Sequence, residues 1–391
     1  EEPKRQTRVL AEYDTVVVGG GIAGAAAAVA AARNGASVCL IEKESALGGL
    51  ATLGLIVEYL PICDGMGRQV MGGLGEELLK LSVKYGGPEK IPECWLPRGN
   101  IEERKKIRYK VQFNAALYMI ILEELVLSEG VEILYDTRFC NVVLDNRRIT
   151  HVIVENKEGR SAIAAKNVVD ASGDADVCFA AGEQTAEFCE NRLAAWNYFT
   201  DGTSVKIRKL AHNLYKELPE GARTYNGLLE KDVNAMLIDG RKMILEDIMK
   251  KRRENNNENI MPIAIPAIPS FRMTRRIVGL HEVAEADDKK YYEDCVAITG
   301  DWRKPGPILY LPYSCLFGSR IDNLITAGRC ISAKTDAWDI TRVIPTCAVT
   351  GEAAGTAAAL CAKEGCGFKD YPVKDLQQRL REQGAYVDEI K

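Results

Sequence analysis

Three glycines, Gly19, Gly21 and Gly24, follow the β-branched run Asp14–Val18, and an acid, Glu42, comes 18 residues after the last of them. A Gly-x-Gly-x-x-Gly stretch alone is a common turn. Between a strand and a helix, with an acid closing the next strand, it is the pattern that cradles a dinucleotide diphosphate. Gly19 allows the tight turn, Gly21 lets a pyrophosphate approach the backbone, and Gly24 lets helix and strand pack closely. Ile22 and Ala23 open the helix whose N-terminus attracts phosphates, and Glu42, followed by Lys43, accepts hydrogen bonds from a ribose. The charge of Glu42 disfavours a 2′-phosphate.

A second set of reactive side chains lies far downstream. Arg272, Arg275 and Arg276 stand within five residues, and guanidinium groups bind carboxylates or phosphates bidentately. Arg276 is the preferred substrate ligand. Of the three histidines, His151 lies in a strand and reads as structural, and His212 sits on a charged helix and reads as exposed. His281, just after the arginines, is the best placed for acid–base work. Tyr313, after Leu311-Pro312, can donate or take a proton. Cys63-Asp64, in a glycine-rich loop, has no identifiable partner.

Positioning these groups requires a definite set of elements. Residues 14–18 and 38–41 read as buried strands, and 22–34 as a helix ending at Gly35, together one βαβ unit with a parallel pair. Helices are expected near 75–85 and over 112–128. Strands follow at 131–135, then a meander of 138–144 and 149–155 around the turn 145–148, and a strand at 162–169 leading into Asp170. From 183 to 305 the pattern changes to two or three polar helices, with the extended Pro262–Pro269 segment beyond. Residues 323–327 form a buried strand and 345–362 a small-residue helix.

The chain has 391 residues, a hydrophobic fraction of 47%, a charged fraction of 27% and a net charge of −4. That length suggests about two domains, and the charge argues against nucleic acid as a partner. No apolar run approaches the ~20 residues needed to cross a bilayer, and Glu1–Arg5 leads into no signal-like core, so no membrane partner is expected. The 12 cysteines are scattered without CxxC spacing, so no metal site is expected. A reducing cytoplasm is the simplest setting.

Three further motifs resemble those of a known family. Gly48-Gly49, with Ala51 and Thr52, resembles the Gly-Gly turn that two-dinucleotide-binding-domain flavoproteins place beside the flavin. Asp170-Ala171-Ser172-Gly173-Asp174 resembles their returning A-T-G-D segment. Asn323–Gly328-Arg329, followed by the Thr346-Cys347 helix start, resembles their A-G-R strand and flavin-facing helix. Phe271–Gly279 is similar to a family R-x-x-R-R-I-x-G stretch. These matches run from residue 14 to 360, in the family's order, and identify the chain with the FAD-dependent oxidoreductases of the glutathione-reductase-type FAD fold, distantly similar to fumarate reductase flavoproteins. The resemblance implies FAD, bound without a covalent link because no histidine lies near Gly48-Gly49. It adds Ala171, Gly173, Asp174, Gly328, Arg329, Thr346, Cys347 and Cys140 to the cofactor-binding residues. It also places Asp339 and Arg342 beside the flavin ring. No second Gly-x-Gly-x-x-Gly follows a strand, so a separate NAD(P)H domain is not expected.

The expected fold is α/β: a Rossmann-type FAD-binding domain with a parallel sheet and β-meander, plus an inserted α+β substrate or cap domain. The FAD-binding domain is expected over 1–182 (46–112 partly cap) and 306–391, with 183–305 inserted. The expected function is hydride transfer between FAD and a small polar, hydroxylated or carboxylated molecule. Arg276, Tyr313, Arg342 and His281 are the catalytic candidates, the electron acceptor is open, and so is homo-oligomerisation. A non-redox flavoenzyme, or a flavin subunit of an electron-transfer complex, is the alternative.

Overall fold

The computed structural model describes residues 6–390, so the reading of Glu1–Arg5 lies outside the described residues. Strand β1 (Arg8–Val18) leads through the glycine turn into α1 (Ile22–Arg33), and β2 (Val38–Ile41) returns beside β1. Val16, Val17 and all four residues of β2 are buried on both faces, which is what a parallel sheet covered by helices demands. Helices α2 (Gly73–Ser82) and α3 (Ala115–Ser128) precede β3 (Glu132–Leu134). The meander β4 (Arg138–Asp145), β5 (Arg148–Asn156) and β6 (Gly159–Asp170) then follows.

These strands form one sheet in the order β3-β2-β1-β6-β5-β4. β6 is long enough to serve two partners on one edge. Its first half pairs antiparallel with β5, and Val168–Asp170 pair parallel with β14 (Leu324–Thr326). Val18 sits opposite both Ile41 and Asp170, and Thr326 also faces Asp170. Four parallel strands therefore end at one edge, and Gly19, Glu42, Ala171 and Ala327 are the residues that leave it. Ligands of open α/β sheets bind outside such carboxyl ends.

Between these parts lies a segment whose composition misleads. Where two or three polar helices are expected, the chain forms β7 (Thr185–Glu187) and a three-stranded antiparallel sheet. That sheet comprises β8 (Ala194–Thr200), β9 (Val205–Ala211) and β10 (Met261–Ala264), with one helix, α4 (Glu230–Asn255). Val205-Lys206-Ile207-Arg208 alternates apolar and charged residues with period two, the pattern of a strand. The strand β11 (Arg275–Ile277) pairs with β7. The hairpin β12 (Cys295–Gly300) and β13 (Ile308–Pro312) spans residue 305.

The chain closes with α5 (Thr335–Thr341) and α6 (Ile344–Glu364). α6 packs along α1 at Gly351 and Gly355, where a methyl group would come within 2.3 and 2.0 Å of the carbonyl oxygens of Ala23 and Ala27. Only glycine lets two backbones approach so closely. Among the described residues no single helix is long and apolar enough to cross a membrane, and no His/Cys/Asp/Glu group could hold a metal ion.

Candidate functional site

A cavity of about 460 Å³ lies at the carboxyl edge of the sheet, within the range of small-molecule sites. Gly19 leaves β1 at φ +103°, and a Cβ there would lie 2.4 Å from Ala171 O, so the turn admits no side chain. Gly21 is the N-cap of α1, and a Cβ at Gly21 would meet nothing within 4 Å. That open space is the approach a diphosphate needs. The first turn of α1 has neither a capping side chain nor an acid. Its free N–H groups, with Ile22 and Ala23 on the cavity wall, attract an anion. Gly24 instead faces inward, its hydrogen against Gly19 O.

Glu42 ends β2 on the cavity wall, buried, with Oε2 accepting from Gly20 N at 2.6 Å and Oε1 from Glu44 N at 2.8 Å. Burial raises its pKa, and these two N–H groups pull it back. Lys43, Gly48, Gly49 and Ala51 line the same wall. Gly48 N donates to Gly20 O at 2.8 Å, locking the second glycine turn onto the first. Thr52 is buried behind it, its hydroxyl donating to Leu47 O at 2.6 Å.

The acids after β6 do not all face the cavity. Asp170 accepts from Ser172 N and from Cys178 N, capping the short helix that follows. Asp174 is held against burial by Arg329, 2.7 Å away, and by the Thr274 hydroxyl, which keep its pKa below the usual range. Asp176 pairs with Arg275 at 2.7 Å. Burial and the nearby Asp174 and Asp170 nevertheless push it up to about 6. Arg329 also donates to Gly173 O at 2.6 Å and Phe271 O at 2.8 Å, tying three segments together. Ala171, Gly173, Asp174 and Arg329 line the cavity.

The start of α6 completes the wall with Arg342, Ile344 and Cys347. A second helix N-terminus thus meets the first across one cavity. Thr346 is buried behind it, 2.8 Å from the Thr299 hydroxyl. Gly328 packs with φ +78° against Ala23. Cys140 lies outside the wall, one residue beyond the part of β4 that reaches it. Thr137, Arg138 and Phe139 reach it, and the sequence offered no signal for them. Val233 and Leu237 of α4, with Ala267, Ile268, Pro269 and Phe271, close the far side. Their only trace in the sequence is an apolar i, i+4 pair on a charged helix.

Three catalytic candidates fall outside this cavity. Arg276 lies buried in β11, paired with Glu282 at 2.6 Å and set over the Trp338 ring. Tyr313 is fully buried against Phe317, and burial drives its pKa well up. His281 packs on Tyr292 and lies 4.0 Å from Asp287. Arg342 alone of the four faces the cavity. Nearby, Asp339 accepts from Arg342 Nε at 2.8 Å and from the Tyr215 hydroxyl, and Trp302 donates to its backbone oxygen at 3.1 Å. A second cleft of about 540 Å³ lies at the turn 145–148. In it Arg147 pairs with Asp322, and Asn323 bonds Ile149 and Lys166. The glycine turns are remote from it.

Comparison with known proteins agrees with this geometry. The p-nitrophenol 4-monooxygenase PnpA of Pseudomonas putida DLL-E4 superposes with a TM-score of 0.52 at 15% identity, over 95% of this chain and 84% of that one. A geranylgeranyl bacteriochlorophyll reductase-like protein of Thermoplasma acidophilum gives 0.47 at 13% identity, with the same coverages. At 15% identity the likeness to the monooxygenase is one of fold. No curated protein matches by sequence. The family model described as FAD dependent oxidoreductase matches residues 14–195 and 183–380. The chain belongs to the FAD-dependent oxidoreductase family, and its cofactor is FAD.

Proposed function

We propose that this enzyme moves a hydride between FAD, held without a covalent link, and a small polar substrate carrying a hydroxyl or carboxylate. The observation that carries the reading is the meeting of two helix N-termini, α1 and α6, on one cavity whose walls come from both ends of the chain. Bound FAD supplies the two-electron chemistry. The chain's own groups do the rest. The Gly19–Gly21 turn and the α1 N–H groups hold the diphosphate, Glu42 accepts from a ribose, and Gly48-Gly49 leaves room beside the ring. The start of α6 favours negative charge next to it. Arg329 and Asp174 fix the returning loop, and Arg342 faces the substrate.

Mixing the purified protein anaerobically with hydroxy acids, sugars and amino acids tests this. One class should bleach the flavin absorbance. If only NADH bleaches it, the enzyme works in the reductive direction. A protein that shows no flavin spectrum and takes up no added FAD overturns the reading.

A further inference from the structure

Four arginines of the cavity wall and the elements behind it each have a carboxylate close by: Arg275 with Asp176 at 2.7 Å, Arg276 with Glu282 at 2.6 Å, Arg303 with Asp301 at 2.9 Å and, on the wall itself, Arg329 with Asp174 at 2.7 Å. Arg272 has none among the described residues. Its Nη1 donates to Arg192 O at 3.1 Å, and its remaining donors have no partner among the described residues. A half-buried guanidinium without a counter-ion is costly, and its Arg192 contact ties it to the turn whose Tyr215 bonds Asp339, the partner of a second cation, Arg342. Burial and then Arg342 lower the pKa of Arg272 to about 10, with Asp339 and Tyr215 only partly offsetting them. Arg342 directs Nε and Nη2 onto a single oxygen of Asp339, at 2.8 and 2.5 Å. Its Nη1 is left without a partner among the described residues.

Around this pair the structure is built rather than loose. Asp339 is buried and its second oxygen accepts the Tyr215 hydroxyl. Arg192 donates to the backbone oxygens of Asn213 and Lys216, pinning the turn that carries Tyr215. On the same turn, His212 leaves Nδ1 buried without a partner, and burial with Arg192 and Arg272 lowers its pKa. Arg192, Arg272 and Arg342 thus gather around Asp339, whose carboxylate is bound to Arg342, and an imidazole disfavoured as a cation stands with them.

We propose that Arg272 and Arg342 form the binding site for the carboxylate of an organic anion, the substrate of the enzyme, at the edge of the flavin cavity. This deepens the functional reading above and rests on it. Arg342 places the anion against the cavity, and Arg272 supplies the free fork. Asp339 is a positioning residue that orients Arg342 and does not touch the ligand. A carboxylate is preferred to phosphate because Asp339 already neutralises part of the positive charge and two planar forks match a planar anion.

Isothermal titration calorimetry of the FAD-loaded protein tests the site, with sodium acetate, malonate and benzoate as probes, inorganic phosphate as the rival anion and malonamide as the neutral control. At least one carboxylate should bind saturably and perturb the flavin spectrum, and malonamide should not. R272Q and R342Q should each weaken that binding by about ten- to a hundredfold, the loss of one charged hydrogen-bonded contact. R272K, which keeps the charge without the fork, should fall between them and wild type. Three results overturn the site: no carboxylate binds, phosphate binds in preference, or R272Q carries full FAD and binds the carboxylate as wild type does. The last leaves the flavin reading standing. A protein without FAD would sink that reading instead, and the heat of carboxylate binding to the same protein would still decide the anion site.

Discussion

Two alanine substitutions three residues apart in the first turn should separate the folding of the nucleotide-binding unit from its use. At Gly24 a Cβ would lie 1.7 Å from Gly19 O, about half of an ordinary 3.4 Å contact. That oxygen cannot retreat, because Gly19 N donates to Ile41 O at 2.8 Å and a Cβ-sized space behind Gly19 is filled by Ala171. Helix and strand must move apart, an overpacking cost of about 3 kcal/mol. The helix propensity gained by replacing glycine is about 1 kcal/mol, so Gly24→Ala should lose about 2 kcal/mol and several degrees of Tm without ligand. Gly21 differs on each count. Its φ of −64° and ψ of −179° suit alanine, and the new methyl meets nothing within 4 Å. The apoprotein of Gly21→Ala should therefore keep its stability to within about 1 kcal/mol. The methyl instead occupies the diphosphate's path, and FAD affinity should fall at least about tenfold, close to 1.4 kcal/mol. Differential scanning fluorimetry of the apoproteins and FAD titration by fluorescence quenching measure the two quantities. If Gly21→Ala binds FAD like wild type, or if both variants lose stability and affinity alike, the assignment of the open face of this turn to the diphosphate is wrong.

Other consequences follow from buried charges. Glu352 of α6 is buried, accepting from Leu74 N at 2.9 Å and from Gln383 Nε2 at 3.5 Å, and burial pushes its pKa up to about 8. Between the unfolded value near 4.3 and 8 the folded protein holds a proton the unfolded chain has released. Stability should therefore fall as pH rises through that window, by several kcal/mol in order of magnitude. Urea midpoints at pH 5 and pH 8 should show this slope in wild type and a flatter one in Glu352→Gln; a slope of opposite sign refutes the assignment. Arg329→Ala removes three hydrogen bonds and leaves the half-buried Asp174 without its cationic partner. A loss of about 3–5 kcal/mol and loss of FAD are expected, and an unchanged Tm would show that the pair is dispensable. Arg276→Ala should lower Tm through its pair with Glu282 while leaving FAD content and carboxylate affinity intact; lost affinity would return Arg276 to the substrate site.

The βαβ unit was legible, apart from the start of β1 at Arg8 rather than Asp14, because its signals are local. Glycine at three fixed offsets, short apolar runs at 15–18 and 38–41, and an acid closing β2 each act within one turn or strand. The three strands β8, β9 and β10 were not, since Lys206, Arg208 and Lys209 made a period-two pattern resemble a charged helix. The substrate side failed for a different reason. Arg272, Arg275 and Arg276 look equivalent in the sequence, and what separates them is their partners. Asp176 lies 99 residues before Arg275, and Glu282 neutralises Arg276 only because β11 pairs with β7 and turns that side chain inward. Tyr313 and His281 were placed by chain position alone, which says nothing about burial.

The C-terminal helix shows how a packing feature carries the site. Gly351 and Gly355 read as a small-residue stripe, yet their contact with Ala23 and Ala27 fixes how α6 lies along α1. Side chains at these two positions would push the helices apart. The first turn of α6, with Ile344 and Cys347, would then withdraw from the cavity that α1 also faces. The diphosphate fingerprint at residues 19–24 thus depends on glycines more than 320 residues away for its opposite wall. The same spacing explains why the fingerprint alone cannot choose the cofactor. The phosphate-binding half is complete within 24 residues, while the half that faces the ring is assembled only when the last helix docks.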